Sequence, residues 1–143
     1  MKKISFFITV LCATLLLGAC QKTSVPEGAV PAKTGIKVVT TFYPLYDFTS
    51  KVVGNLATVE NMTPAGVEPH DFEPSPRDLE TLYSADLIVM NGAGLDAWVE
   101  NNEKELISRG VKVLKMSEQL PLLTGGEKSE YDPHFWLDPV FAQ

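Results

Sequence analysis

The sequence predicts an α/β fold built on a mostly parallel sheet. Two observations carry that prediction. Short β-branched and apolar runs alternate with amphipathic stretches of about ten residues, the pattern of βαβ units. The amphipathic stretches are also punctuated by residues that start or stop helices. From Ile36 to Thr41 the chain is β-branched and apolar, a buried strand. Leu45 to Val53 places Leu45, Phe48, Thr49, Val52 and Val53 on one helical face, and Gly54 ends the helix. Leu56 to Met62 reads as a second strand. At Ser75-Pro76-Arg77-Asp78 a helix starts, with Ser as N-cap, Pro at the first position and Asp at the third. It runs to about Ser84. Asp86 to Met90 is a short apolar strand, Asp96 to about Ser108 a helix, and Val111 to Lys115 another strand. Residues 121–133 form a loop rich in Gly and Pro. In such sheets ligands bind beyond the carboxyl ends of the strands, so chemistry is to be sought in the loops that follow them.

The N-terminus is an address. Lys2 and Lys3 precede an apolar run from Ile4 to Leu17. That run is shorter than the roughly 20 residues a membrane-spanning helix needs, and it fits the apolar region of a secretory signal. It ends in Leu17-Gly18-Ala19-Cys20, which resembles the lipobox of bacterial lipoproteins. The resemblance implies a signal peptide over 1–19 and a diacylglyceryl group on Cys20. An ordinary secretory signal with a chance cysteine is the plainer alternative. Residues 20–35, polar with Pro and Gly, read as a flexible tether. The chain has two cysteines; Cys12 lies within the signal. The mature domain is thus expected to carry no thiol, so a transition metal would rest on His, Asp or Glu.

A hydrophobic share of 45% and a charged share of 21% describe a globular domain. The formal net charge of −6 argues against a nucleic-acid partner, which needs a basic face. It is compatible with a cation ligand, although a mild acidic balance mostly serves solubility.

There are two histidines, both in loops that follow strands. His70 lies in Glu68-Pro69-His70-Asp71 and His134 in Asp132-Pro133-His134. Each follows a proline and is flanked by carboxylates. A backbone-fixed neutral imidazole with a nearby acid is a common metal-ligand arrangement, because the acid can hold the second ring nitrogen and set the tautomer. Their spacing matches no short zinc pattern. Two surface-loop histidines without a role remain an open reading of the residues alone.

Four segments carry a family resemblance. They are Thr40-Thr41-Phe42-Tyr43-Pro44-Leu45-Tyr46-Asp47-Phe48, Gly66 to Asp78 around His70, Ala85-Asp86-Leu87 with Asn91-Gly92-Ala93-Gly94-Leu95, and Asp132-Pro133-His134-Phe135-Trp136-Leu137-Asp138-Pro139. In this order they closely resemble the metal-binding receptors of ABC importers for zinc and manganese. The resemblance covers Ile36 to the end. It implies two α/β lobes joined by a long helix, with metal held between them by three histidines and a carboxylate or water. His70 and His134 fall on the first two histidine positions. The chain would be the N-terminal lobe, residues 36–143, of a truncated receptor whose second lobe and remaining ligands are absent. The Phe42-Tyr43-Pro44 segment and the Pro-His-Phe-Trp-Leu-Asp-Pro form resemble the zinc branch; manganese is the alternative. One departure is the loop Thr124 to Tyr131, which lacks the histidines often found there in that branch. Glu68 is a candidate accessory ligand, or else a solvated loop acid. The implied partners are an ABC permease and, through the lipid, the outer face of the cell membrane, with the receptor acting as a monomer.

Competing readings remain. A secreted zinc hydrolase would use the two histidines with Glu68 or Asp71 as base. An adhesive surface protein has no support in the residues. Gly92-Ala93-Gly94-Leu95-Asp96-Ala97 formally matches a dinucleotide-binding turn, but the next strand lacks the acid such a site wants. These glycines are expected to form a tight turn near the site. Trp98 is expected to pack on its own lobe, Phe135 and Trp136 to wall or underlie the site, and Asp132 and Asp138 either to support the ligands or to cap helices, the cap reading being the stronger for Asp138 because Pro139 follows it.

Overall fold

The computed structural model describes residues 35–124 and 131–142, all within one unit spanning Lys33–Gln143. The signal peptide, Cys20, nearly all of the tether and most of the loop between Thr124 and Tyr131 lie outside the described residues. Among those described, no helix is long and apolar enough to cross a membrane.

Four strands form one sheet: β1 (Ile36–Thr40), β2 (Ala57–Asn61), β3 (Leu87–Met90) and β4 (Lys112–Lys115). Their spatial order is β2-β1-β3-β4, and every pairing is parallel. Three helices make the crossovers: α1 (Tyr43–Val53), α2 (Pro76–Tyr83) and α3 (Ala97–Ser108). The chain leaves β1 toward β2, then crosses back over β1 to reach β3. The sheet therefore has a switch point between β1 and β3, where loops leave in opposite directions and open a crevice at their carboxyl ends.

Local chemistry accounts for the elements. α1 opens at Tyr43, two residues before the expected Leu45, because Pro44 in its first turn needs no hydrogen-bond acceptor. It stops at Gly54 with φ 52. α2 carries a full capping box. The Asp78 N–H donates to Ser75 Oγ at 3.3 Å, and the Ser75 N–H donates to Asp78 Oδ2 at 2.8 Å. The Ser75 hydroxyl and then the Ser75 backbone N–H, both beside the Asp78 carboxyl, hold it below the usual range.

Side chains alternate across the sheet. Val39, Ile88 and Met90 face α2 and α3, meeting Leu82, Val99 and Leu106 in one core. Val38 and Val89 face the other way, meeting Phe42, Leu45 and Leu95 in a second core that Trp136 abuts. α2 and α3 cover one face, while α1 contributes a single buried residue, Leu45, to the other.

Candidate metal centre

Both histidines stand at the carboxyl edge of the sheet. His70 lies in a 3-10 turn, Pro69–Asp71, in the loop after β2. Glu68 is the N-cap of that turn: its Oε1 accepts the His70 N–H at 3.4 Å. His134 opens a second 3-10 turn, Phe135–Leu137. The Nε2 atoms of the two rings are 3.4 Å apart, with ring centroids at 5.4 Å. Two nitrogens bound to one zinc at about 2.05 Å and a tetrahedral angle stand about 3.3–3.4 Å from each other. The pair is thus spaced as two ligands of one tetrahedral ion. Both residues are exposed, so the open side of the pair is free for further ligands. Among the described residues no third His, Cys, Asp or Glu joins them, so Glu68 stays with its cap and Asp71 outside the pair.

Asp132 fixes the second ring. Its Oδ1 accepts the His134 backbone N–H at 2.9 Å and lies 2.7 Å from His134 Nδ1. The backbone N–H and then the ring of His134 hold the Asp132 carboxyl below the usual range. An ionised acid at Nδ1 demands a proton there, leaving Nε2 with a lone pair aimed at His70.

The floor of the site is the switch point. After β3 the chain turns through Gly92 (φ 77), Ala93 (φ 51) and Gly94 (φ 81) before α3 begins. Successive N–H groups in such a turn make a nest that attracts anions. Here the chain fills its own nest. Asp96, the residue before α3, accepts the Asn91 N–H at 2.7 Å and the Gly92 N–H at 2.8 Å instead of capping the helix by its side chain. Phosphate would have to displace a built-in carboxylate, which is why the glycine turn is structural. Burial pushes the Asp96 carboxyl up. The two N–H groups oppose that, together with the Thr41 hydroxyl, which is turned toward the carboxylate but short of full hydrogen-bond geometry.

From the same floor, Asn91 Nδ2 donates to the Pro133 carbonyl at 3.1 Å and to the Gly92 carbonyl at 3.1 Å. The aromatic wall is also in place. Trp136 meets Phe42 edge-on at 4.6 Å and the His134 ring at 5.2 Å. Trp98 packs edge-on against Phe72 at 5.6 Å, on its own lobe. Asp138 Oδ1 accepts the Val140 N–H at 2.8 Å, capping the following turn. Sequence reasoning missed Thr41, Asn91 and Asp96 as parts of the site's floor. The available signal was an Asn and an Asp bracketing a Gly-x-Gly turn that leaves a strand.

Comparison with known proteins identifies the family and the fold. Residues 38–143 match the family described as ZnuA, zinc-uptake complex component A, periplasmic. The high-affinity zinc uptake system protein ZnuA of Bacillus subtilis is 34% identical over 155 aligned positions, covering 99% of this chain and 49% of that protein. The zinc-binding lipoprotein AdcA of Streptococcus pneumoniae is 37% identical, covering 99% of this chain and 30% of that protein. The crystal structure of the Zn(II)-bound ZnuA-like domain of Streptococcus pneumoniae AdcA superposes with a TM-score of 0.69 at 41% identity, covering 76% of this chain and 39% of that one. The chain thus spans about half or less of the length of these relatives. A four-stranded parallel sheet, a histidine pair at its switch point and a match over residues 38–143 together show that this chain belongs to the ZnuA family of zinc-uptake components.

Proposed function

We propose that this protein captures Zn(II) outside the membrane and passes it to the permease of an ABC importer, with His70 and His134 as two of the metal's ligands. The observation that carries this is the 3.4 Å separation of their Nε2 atoms, the bite of a tetrahedral zinc site. Two imidazoles favour zinc over manganese, which prefers carboxylate and water oxygens. Zinc is cargo here, so the coordination shell has to close on it and leave no place for a substrate. The remaining ligands come from outside the described residues, in keeping with a site shared between two lobes. Glu68 serves the backbone of the His70 turn and contributes to the site through that turn.

The same reading places a signal peptide over residues 1–19, a lipid on Cys20 and a tether to about residue 35, ahead of a metal-binding lobe from Ile36. The protein would then work as a monomer, tethered to the outer face of the membrane. A hydrolase would need a metal-bound water and a base beside it; of the nearby carboxylates, Glu68 is taken up as a backbone cap and Asp132 as a ring anchor.

Calorimetric zinc titration of the protein as the cell makes it, beside its His70→Ala and His134→Ala variants, tests the reading. Each variant should lose roughly a hundredfold or more in affinity, beyond the 10–100-fold typical of a group supporting a ligand. Wild-type affinity in both variants would exclude these histidines as ligands.

A further inference from the structure

We propose that Asn91 is a positioning residue for zinc capture: it holds the Pro133–His134 peptide so that the His134 imidazole stands opposite His70. The inference rests on the reading of both histidines as zinc ligands.

A peptide unit is planar, so gripping its carbonyl and its N–H sets the plane from which the next side chain departs. The unit joining Pro133 to His134 is gripped at both ends. Its carbonyl accepts Asn91 Nδ2 at 3.1 Å, and its N–H donates to Asp132 Oδ1 at 2.9 Å. The same Oδ1 takes Nδ1 of the ring at 2.7 Å. The Cα–Cβ bond of His134 and the rotation of its ring are both determined by these contacts. Asp132 belongs to the loop that carries His134 and would move with it. Asn91 belongs to the end of β3, so it ties the loop to the sheet.

Asn91 is itself immobilised. It is fully buried, its N–H donates to Asp96 at 2.7 Å, and its carbonyl accepts the Ser117 N–H at 2.9 Å. Its side-chain amide faces two carbonyls, those of Gly92 and Pro133. Only the nitrogen can face them, so the amide has one allowed orientation. Pro133 is buried and has no N–H, so its carbonyl is its single polar group and needs that donor. The Asn91–Pro133 bond spans 42 residues and joins the sheet to the loop that carries His134.

The test is a double-mutant cycle on the full-length protein with zinc alone as the probe. Asn91→Asp keeps the shape but turns a carboxylate oxygen toward two carbonyls. It should weaken zinc binding about tenfold or more, as loss of a group orienting a metal ligand does. It should also change the visible spectrum of the cobalt-substituted site. In a His134→Ala background the same change should cost nothing further. Val99→Ala, which loosens the core on the other side of the sheet, should leave zinc affinity within about twofold, separating positioning from general destabilisation. Wild-type affinity in Asn91→Asp with His134→Ala impaired overturns the proposal and leaves the ligands standing. An equal loss in both backgrounds also overturns it, because Asn91 would not act through His134. Wild-type affinity in His134→Ala removes the ligand reading and this one with it. Should Asn91→Asp fail to fold, the wild-type protein decides by NMR. Slow exchange of the Asn91 side-chain amide protons, with scalar coupling across the bond to the Pro133 carbonyl, supports the proposal; free exchange overturns it.

Discussion

His70 and His134 meet through their Nε2 atoms at 3.4 Å, and only one of those two atoms can carry a proton that points at the other. Asp132 holds the proton of His134 on Nδ1, which makes its Nε2 the acceptor. His70 must therefore donate from Nε2 when no metal is present. Zinc needs both lone pairs, so binding should move the His70 proton from Nε2 to Nδ1, while His134 keeps its tautomer. Nitrogen-15 NMR of the two imidazoles with and without zinc checks this. A His70 ring already protonated on Nδ1 before zinc is added would contradict it.

Asp132→Asn should weaken zinc binding about 10–100-fold, the usual cost of removing a carboxylate behind a ligating histidine. The amide can still accept the His134 N–H but no longer carries the charge that settles the ring's proton. Calorimetric titration measures the loss, and an unchanged affinity would show that the ring is set by other contacts.

Trp136 should report binding directly. Its ring is 5.2 Å from His134 and 4.6 Å from Phe42. In a Trp98→Phe background it is the only tryptophan, and zinc addition should change its emission in proportion to occupancy. The reverse background, Trp136→Phe with Trp98 kept, should be silent or nearly so.

Gly92 and Gly94 share a left-handed backbone but not the same room. A Cβ at Gly92 (φ 77) would overlap Ser117 Oγ and crowd the Lys115 side chain, whereas one at Gly94 (φ 81) meets nothing within 4 Å. Gly94→Ala should cost about 1–2 kcal/mol from backbone strain alone. Gly92→Ala should cost about 1–3 kcal/mol more, because the neighbouring side chains have to shift. Denaturant melts of both variants test the ordering.

Burial raises the Asp96 carboxyl, and the sign of its pH effect follows. An acid whose folded value lies above its unfolded value binds more protons in the folded state. Stability therefore declines as pH rises from the ordinary carboxylate range, near 4, up through the raised folded value. Asp96→Asn should be less stable overall, since an amide cannot accept both N–H groups as well, and it should lose this slope. Thermal melts across that window, wild type against variant, measure both effects.

The fold was legible because each strand and helix announces itself locally. Ser75-Pro76-Arg77-Asp78 starts α2 as its residues require, and Gly54 stops α1. The pairing of His70 with His134 was not legible from spacing, since it arises where two loops leave a parallel sheet at the switch point. The resemblance of the flanking motifs supplied it. Asp96 shows why the floor of the site stayed hidden. In the sequence it reads as the first residue of a helix, yet its carboxylate turns back to Asn91 and Gly92. Buried polar networks join residues by three-dimensional need, and such joins leave no periodic trace in the chain. Glu68 is the converse case, an acid beside a histidine whose oxygen serves the backbone.

An all-parallel sheet also divides the molecule into two ends with different tolerances. The connections that return from helix to strand, at residues 54–56, 84–86 and 109–111, all land at the amino ends of the strands, away from the histidines. Gly54 and Gly110 lie in such connections, in open space. A dye, an affinity handle or a grafted loop placed there would ride on the scaffold without touching the histidine pair. The protein offers a ready-made mounting side for a reporter of what happens at the histidine pair.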